Sequence, residues 1–132
     1  MLVDSYRGKS GLRIIFKIDS AKDRDSLRAL FLNLSNEQLG NINLRDEAWT
    51  EFTPDTPAIV LKFVPRESSW QIEKRDLENL GEVIVWSRHE DGWLECAEKV
   101  AALNGPGHQY MGTGEAEIEV SFMENLRRRG SP

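Results

Sequence analysis

The sequence predicts an α+β fold: a two-layer sandwich with two helices packed on one face of a mixed, mostly antiparallel sheet. Three stretches carry this prediction. Residues 83–86 are a short apolar run typical of a buried strand, and residues 89–104 repeat apolar side chains at helical spacing. Residues 115–122 alternate between polar and apolar side chains, as a strand with one buried face does. The expected element order is βα, two or three strands, then βαβ.

The chain is predicted to open with a strand and a helix. Residues 1–10 are polar and are interpreted as a loose lead-in, whereas residues 12–18 are rich in the β-branched and aromatic residues that strands favour. Ser20, with Asp23 three residues later, has the spacing of a capping box, which marks a helix start. A helix over residues 21–34 follows from one apolar stripe: Leu27, Leu30, Phe31 and Leu34.

The middle of the chain is predicted to be mostly strand. Residues 48–52 favour a short strand closed by Pro54, and residues 58–64 favour a longer one ended by Pro65. Residues 70–74 alternate, which predicts a short strand that pairs with the preceding one and leads into a helical turn. A helix over residues 69–80, ended by Gly81, remains the alternative interpretation.

The last third contains the most regular patterns. The apolar stripe of the helix at 89–104 is Trp93, Cys96, Ala97, Val100 and Leu103, and the stop signal after it is Asn104-Gly105-Pro106. His108 and Tyr110 then fall on one face of the following extended segment, and residues 124–132 are expected to form a flexible basic tail. The strand-then-helix order of residues 12–34 returns at 83–104, which raises the hypothesis of an internal duplication.

Composition and charge limit the classes of function. With 39% hydrophobic and 30% charged residues, 132 residues are expected to form a single globular domain. No apolar run approaches the roughly 20 residues of a membrane helix. No signal peptide is recognisable, and one cysteine cannot form an internal disulfide, which is typical of a cytoplasmic protein. The net charge of −5 argues against nucleic-acid binding and favours a basic protein partner.

The sequence carries no established catalytic signature. A P-loop, a dinucleotide fingerprint, a nucleophile elbow and zinc-ligand pairs are all missing, so we expect no catalytic, cofactor-binding or metal-binding residues. Glu90 and Asp91 are interpreted as favourable charges at a helix N-terminus. Cys96 is interpreted as a buried structural cysteine, because it lies on the apolar stripe of its helix.

Two sets of residues are candidates for a binding function. Glu115, Glu117 and Glu119 fall about 7 Å apart on one strand face, which suits a basic partner. Trp49 and Trp70, which stand near proline and charged residues in the sequence, are further candidate contact residues, since tryptophan is favoured at binding hot spots.

Two alternatives remain open. The chain could be an enzyme or small-molecule binder with a pocket near His89, His108 and Tyr110, which carry the most chemically versatile polar side chains in the sequence. It could instead be a homodimer formed by pairing of an exposed last strand.

The helix at residues 94–103, the segment Gly105-Pro106-Gly107-His108-Gln109-Tyr110 and the alternating last strand resemble the small bacterial immunity proteins encoded beside polymorphic toxins. The resemblance covers about the last 30 residues. It implies a cytoplasmic, non-enzymatic, acidic protein that blocks a toxin domain, often a basic nuclease. The leading hypothesis is therefore a non-catalytic protein-binding module with an acidic and aromatic surface.

Overall fold

The computed structural model describes residues 1–8, 11–37, 40–67, 71–77, 81–113 and 116–124. Within these ranges it contains nine strands, two α-helices and one short 3-10 helix. In chain order they are β1 (Leu2–Gly8), β2 (Gly11–Ile18), α1 (Ala21–Glu37), β3 (Asn41–Asn43), the 3-10 helix (Leu44–Asp46), β4 (Glu51–Phe52), β5 (Ala58–Phe63), β6 (Gln71–Leu77), β7 (Gly81–Arg88), α2 (Glu90–Ala101), β8 (Gly107–Thr113) and β9 (Ala116–Phe122).

The α+β class is confirmed, with two helices packed against mixed sheets. The strands form two sheets, however, where the sequence predicted one. The five-stranded sheet has the order β4-β1-β2-β9-β8, and the four-stranded sheet has the order β3-β5-β7-β6. Hydrophobic alternation shows that a strand has a buried face, but it does not show which strands are neighbours, so the division into two sheets was not predictable.

The strands predicted at 12–18, 58–64 and 83–86 and both helices are confirmed, with small changes of boundary. The helix start at Ser20 is confirmed in atomic detail, because the backbone N–H of Asp23 donates to Ser20 Oγ at 3.1 Å.

Three local predictions are wrong. Residues 2–8 are not a loose lead-in but strand β1, which pairs antiparallel with β2. The strand predicted at 70–74 is confirmed as β6 and the alternative helix is excluded, but the predicted partner is wrong, because β6 pairs with the following strand β7 and not with β5. The predicted order βαβ has one strand after the second helix, but residues 107–113 form a separate strand, β8, in a hairpin with β9. In each case a neighbouring strand stabilises a segment whose own pattern is weak. Residues 125–132 of the expected tail lie outside the described residues.

The two halves of the chain have the same topology. The first runs β1-β2-α1-β3-β5 and the second runs β6-β7-α2-β8-β9, each a hairpin, a helix and a second hairpin, with β4 as an addition to the first. The first hairpin of each half pairs in parallel with the second hairpin of the other half, through β2–β9 in one sheet and β7–β5 in the other. The fold is therefore a pseudo-twofold arrangement with exchanged hairpins, as the duplication hypothesis would require.

One hydrophobic core joins both sheets and both helices. Its centre is aromatic: the rings of Trp86 and Trp93 lie 4.8 Å apart, and Phe31 contacts both. A smaller buried cluster lies on the opposite side of the four-stranded sheet and consists of Ala58, Val60, Val83 and Val85. No helix in the described ranges is long and apolar enough to cross a membrane.

Candidate binding surface

The side of the five-stranded sheet that faces away from the core is its outer face. The even-numbered residues 12–18 of β2 are buried in the core, so residues 13, 15 and 17 point outward. Strand register adds outward residues from β1, β8 and β9. This surface, together with Glu124 after β9, is termed the acidic face; its residues are Asp4, Tyr6, Arg13, Ile15, Lys17, His108, Tyr110, Glu117, Glu119, Ser121 and Glu124.

Large apolar groups are exposed on or beside the acidic face. Tyr6 is 54% exposed and Tyr110 is 43% exposed, on strands at opposite sides of the β2–β9 pair. Met123, directly after β9, is 53% exposed. Outside this region, Leu94 on α2 is the other large hydrophobic residue of the described chain with such exposure. Asp4, Glu117 and Glu124 are not buried and outnumber the two cations, Arg13 and Lys17, so the acidic face combines a carboxylate majority with accessible aromatic rings.

The predicted row of glutamates is not uniform in the structure. Glu117 forms an ion pair with Arg13 on the neighbouring strand and keeps 43% of its side chain exposed. Glu119 is only 8% exposed, between Ile15 and Tyr110 in adjacent strands. Glu115 lies outside the described residues. Of the row, Glu117 is thus the accessible carboxylate that the structure describes.

A polar cluster that the sequence did not reveal surrounds His108. Ser121 Oγ donates to Glu124 Oε1 at 2.7 Å, and His108 Nδ1 lies 3.0 Å from Glu124 Oε2. Burial raises the pKa of Glu124, but the hydrogen bonds from Ser121 and His108 and the charge of His108 outweigh it, so that the pKa is lower than usual. Both Ser121 and His108 form their hydrogen bonds with the carboxylate of Glu124. In a catalytic triad the serine instead bonds the histidine, and the histidine bonds the carboxylate, so this cluster is not a triad.

The structure brings together two of the three predicted pocket residues. His108 and Tyr110 lie on the acidic face with ring centroids 5.2 Å apart. His89 precedes α2, whereas His108 follows it, and a helix of 12 residues is about 18 Å long. His89 directly follows β7 of the four-stranded sheet and is the N-cap residue of α2. A pocket formed by all three residues stays a prediction.

Of the two candidate tryptophans, the structure describes Trp49, which is less exposed than expected. Trp49 is half-buried and packs against the main core. Trp70 lies outside the described residues. The exposed aromatic side chain that the sequence did not reveal is Tyr6, because residues 2–8 show no regular alternation of polarity.

The last strand is not an exposed edge. β9 lies between β2 and β8, so it cannot template a second chain as the sequence suggested. The edge beside it is β8, where Lys99 Nζ donates to the backbone carbonyl of Tyr110 at 2.7 Å. Dimerisation stays a prediction, and pairing along β8 would have to accommodate this lysine.

Cys96 is buried, which confirms its structural interpretation. Burial raises the pKa of its thiol to about 11, although the adjacent Arg88 guanidinium opposes this by donating from Nη1 to Cys96 Sγ at 2.9 Å. Such a thiol is protonated and inaccessible at neutral pH, the opposite of a nucleophilic cysteine.

Across the described residues, no group of three or more His, Cys, Asp or Glu side chains is arranged to hold a metal ion. Comparisons with protein-family models, with curated proteins and with solved structures find no match. The resemblance of the C-terminal part to immunity proteins thus stays a prediction.

Proposed function

We propose that this chain is a cytoplasmic, non-catalytic protein-binding module whose acidic face binds a basic partner protein. The observation that carries the proposal is the combination of two exposed tyrosines with a carboxylate majority on one sheet face. The resemblance of the C-terminal part to immunity proteins favours a basic toxin domain as this partner.

The aromatic and acidic groups would have different tasks in binding. Tyrosines at the centre of interfaces contribute much of the affinity, because they bury a large rigid area and keep a polar end. Carboxylates attract a basic partner from a distance and mainly increase the association rate. Tyr110 is suited to the first task and Glu117, the accessible carboxylate near it, to the second.

The polar cluster supports binding over catalysis. Glu124 is hydrogen-bonded both to the buried Ser121 and to His108, which fixes the exposed imidazole of His108 at the surface. A fixed arrangement lowers the conformational entropy lost when a partner binds. These hydrogen bonds also occupy the side chains of His108 and Glu124, which an acid–base mechanism would need for proton transfer to a substrate.

The test begins by capturing basic proteins from the source cells at low and moderate salt and purifying the one captured. Its binding is then measured by surface plasmon resonance. Tyr110→Ala should weaken affinity about tenfold or more. Glu117→Lys should lower the association rate and its dependence on salt.

Matched controls are Leu94→Ala, an exposed apolar residue on α2, and Glu67→Lys, an exposed glutamate after β5. Both should bind like the wild type. Equal losses in the controls, or unchanged binding by Tyr110→Ala and Glu117→Lys, would exclude the acidic face as the binding surface.

A further inference from the structure

The outer face of the four-stranded sheet contains a groove of about 480 Å³. This volume is in the range of small-molecule sites, which is roughly 300–1,000 Å³. The groove is lined by Asn41, Asn43, Asp46, Val60, Lys62, Arg75 and Val85. It lies on the sheet that does not carry the acidic face, so it is independent of the proposed protein-binding surface.

Strand register separates the groove into an apolar floor and a polar corner. Val60 and Val85 are paired neighbours in β5 and β7 and belong to the smaller buried cluster, so they form the floor. In the adjacent strand β3, Asn41 is paired with Lys62 and Asn43 with Val60. Paired residues on one face have Cβ atoms about 5 Å apart, so Lys62 and the two asparagines share one corner.

This corner is rich in hydrogen-bond donors. Lys62 is half-buried and forms no ion pair with any residue in the described ranges. The side-chain oxygen of Asn43 already accepts from the backbone N–H of Arg45 at 3.1 Å, which leaves its NH₂ group as a donor.

The second cation of the groove already has an ion-pair partner. Arg75 Nε donates to Glu73 Oε1 at 2.6 Å. Lys62 is therefore the cation available to a ligand, and Asp46 is the one carboxylate among the groove residues.

We propose that this groove binds a small organic anion with an apolar body. Lys62 and the asparagine amides bind the anionic group, and the apolar body packs on Val60 and Val85. A half-buried ammonium beside an apolar floor favours such a ligand over a neutral or cationic one of equal shape, because only the anion compensates its charge. Asp46 opposes the anion and limits its affinity.

Three probes with a common phenyl body test whether binding requires a negative charge. They are 3-phenylpropionate, which is anionic, 3-phenylpropanamide, which is neutral, and 3-phenylpropylamine, which is cationic. Each is titrated into the full-length ¹⁵N-labelled protein up to about 10 mM, a range that detects millimolar binding. The propionate should give saturable shifts at the amides of Val60, Lys62 and Val85. The affinities of the amide and the amine should be lower by about fivefold or more, since neither can form the ion pair with Lys62.

Two variants and a control test the residues. Lys62→Gln should reduce propionate affinity about fivefold, to the level of the neutral probe, and Asp46→Asn should increase it about twofold. Lys22→Gln on the exposed start of α1 is the matched control and should change nothing.

The proposal is overturned if the propionate does not bind, if its shifts lie outside the groove, or if the amide and amine bind equally well. Equal affinities of the Lys62→Gln and Lys22→Gln proteins would overturn it too. Because Lys62 is on the other sheet, Lys62→Gln should leave partner binding at the acidic face intact. Failure of one proposal is thus distinguishable from failure of the other.

Discussion

At the scale of single residues, Gly92 in α2 shows how a buried charged side chain limits the size of the residue beside it. Arg88 is 3% exposed and lies at the end of β7, beneath the first turn of the helix. A Cβ atom at position 92 would lie 2.6 Å from Arg88 Nε and 3.1 Å from Arg88 Cβ. Since Arg88 also donates to Cys96, its side chain cannot move away without losing a buried hydrogen bond.

We therefore expect Gly92→Ala to lower the free energy of unfolding by about 1–2 kcal/mol, even though alanine favours helix by about 1 kcal/mol over glycine. Urea denaturation of both proteins measures the difference. Gly105→Ala is the control, because no atom lies within 4 Å of a Cβ placed there. A Gly92→Ala protein as stable as the wild type would mean that Arg88 has room to rearrange.

The residues of the candidate site were only partly predictable. Alternation along one strand correctly placed His108 with Tyr110, because side-chain direction follows from the local backbone. It could not show that these two share a face with Glu117, Arg13 and Tyr6, since that depends on pairing between distant strands. It also could not show that Glu119 is covered by its neighbours.

At the scale of elements, the helices carried the strongest local signals. The stripe of α1 is fully buried and its start is capped by Ser20, as the spacing predicted. Strands β1 and β8 lacked an equivalent signal, because each mixes polar residues with glycine or tyrosine and is stabilised by its partner in a hairpin.

Removal of the cap tests whether the local signal stabilises the helix. Ser20→Ala leaves the N–H of Asp23 without its side-chain acceptor, and we expect a loss of about 1 kcal/mol in the free energy of unfolding. Thermal and urea unfolding followed by circular dichroism measure it. Ser26→Ala within α1 is the control and should be neutral or slightly stabilising, since alanine is the better helix former. Identical losses in both variants would argue against a capping effect.

At the scale of the whole molecule, the exchanged hairpins make each sheet depend on both halves of the chain. The central pairs are β2 with β9 in one sheet and β5 with β7 in the other, each pair parallel and formed between halves. A single core then connects the sheets through the helices. The sheets should unfold together.

Amide hydrogen exchange followed by NMR tests this expectation. The slowest amides of β2, β9, β5 and β7 should exchange at similar rates, set by global unfolding, and at least about tenfold more slowly than those of the edge strands β6 and β8. The internal control is the comparison of the two sheets in one sample. If one sheet exchanged as a unit much faster than the other, the halves would not form one cooperative structure.

The sequence by itself determined the α+β class, both helices and the strands with a strong apolar pattern, because these follow from short-range periodicity and capping. The tertiary structure alone decided that the strands form two sheets and that β9 is interior. It also decided which charged and aromatic residues share the acidic face. Strand pairing joins residues far apart in the chain, and its register leaves no trace in the local pattern of either strand.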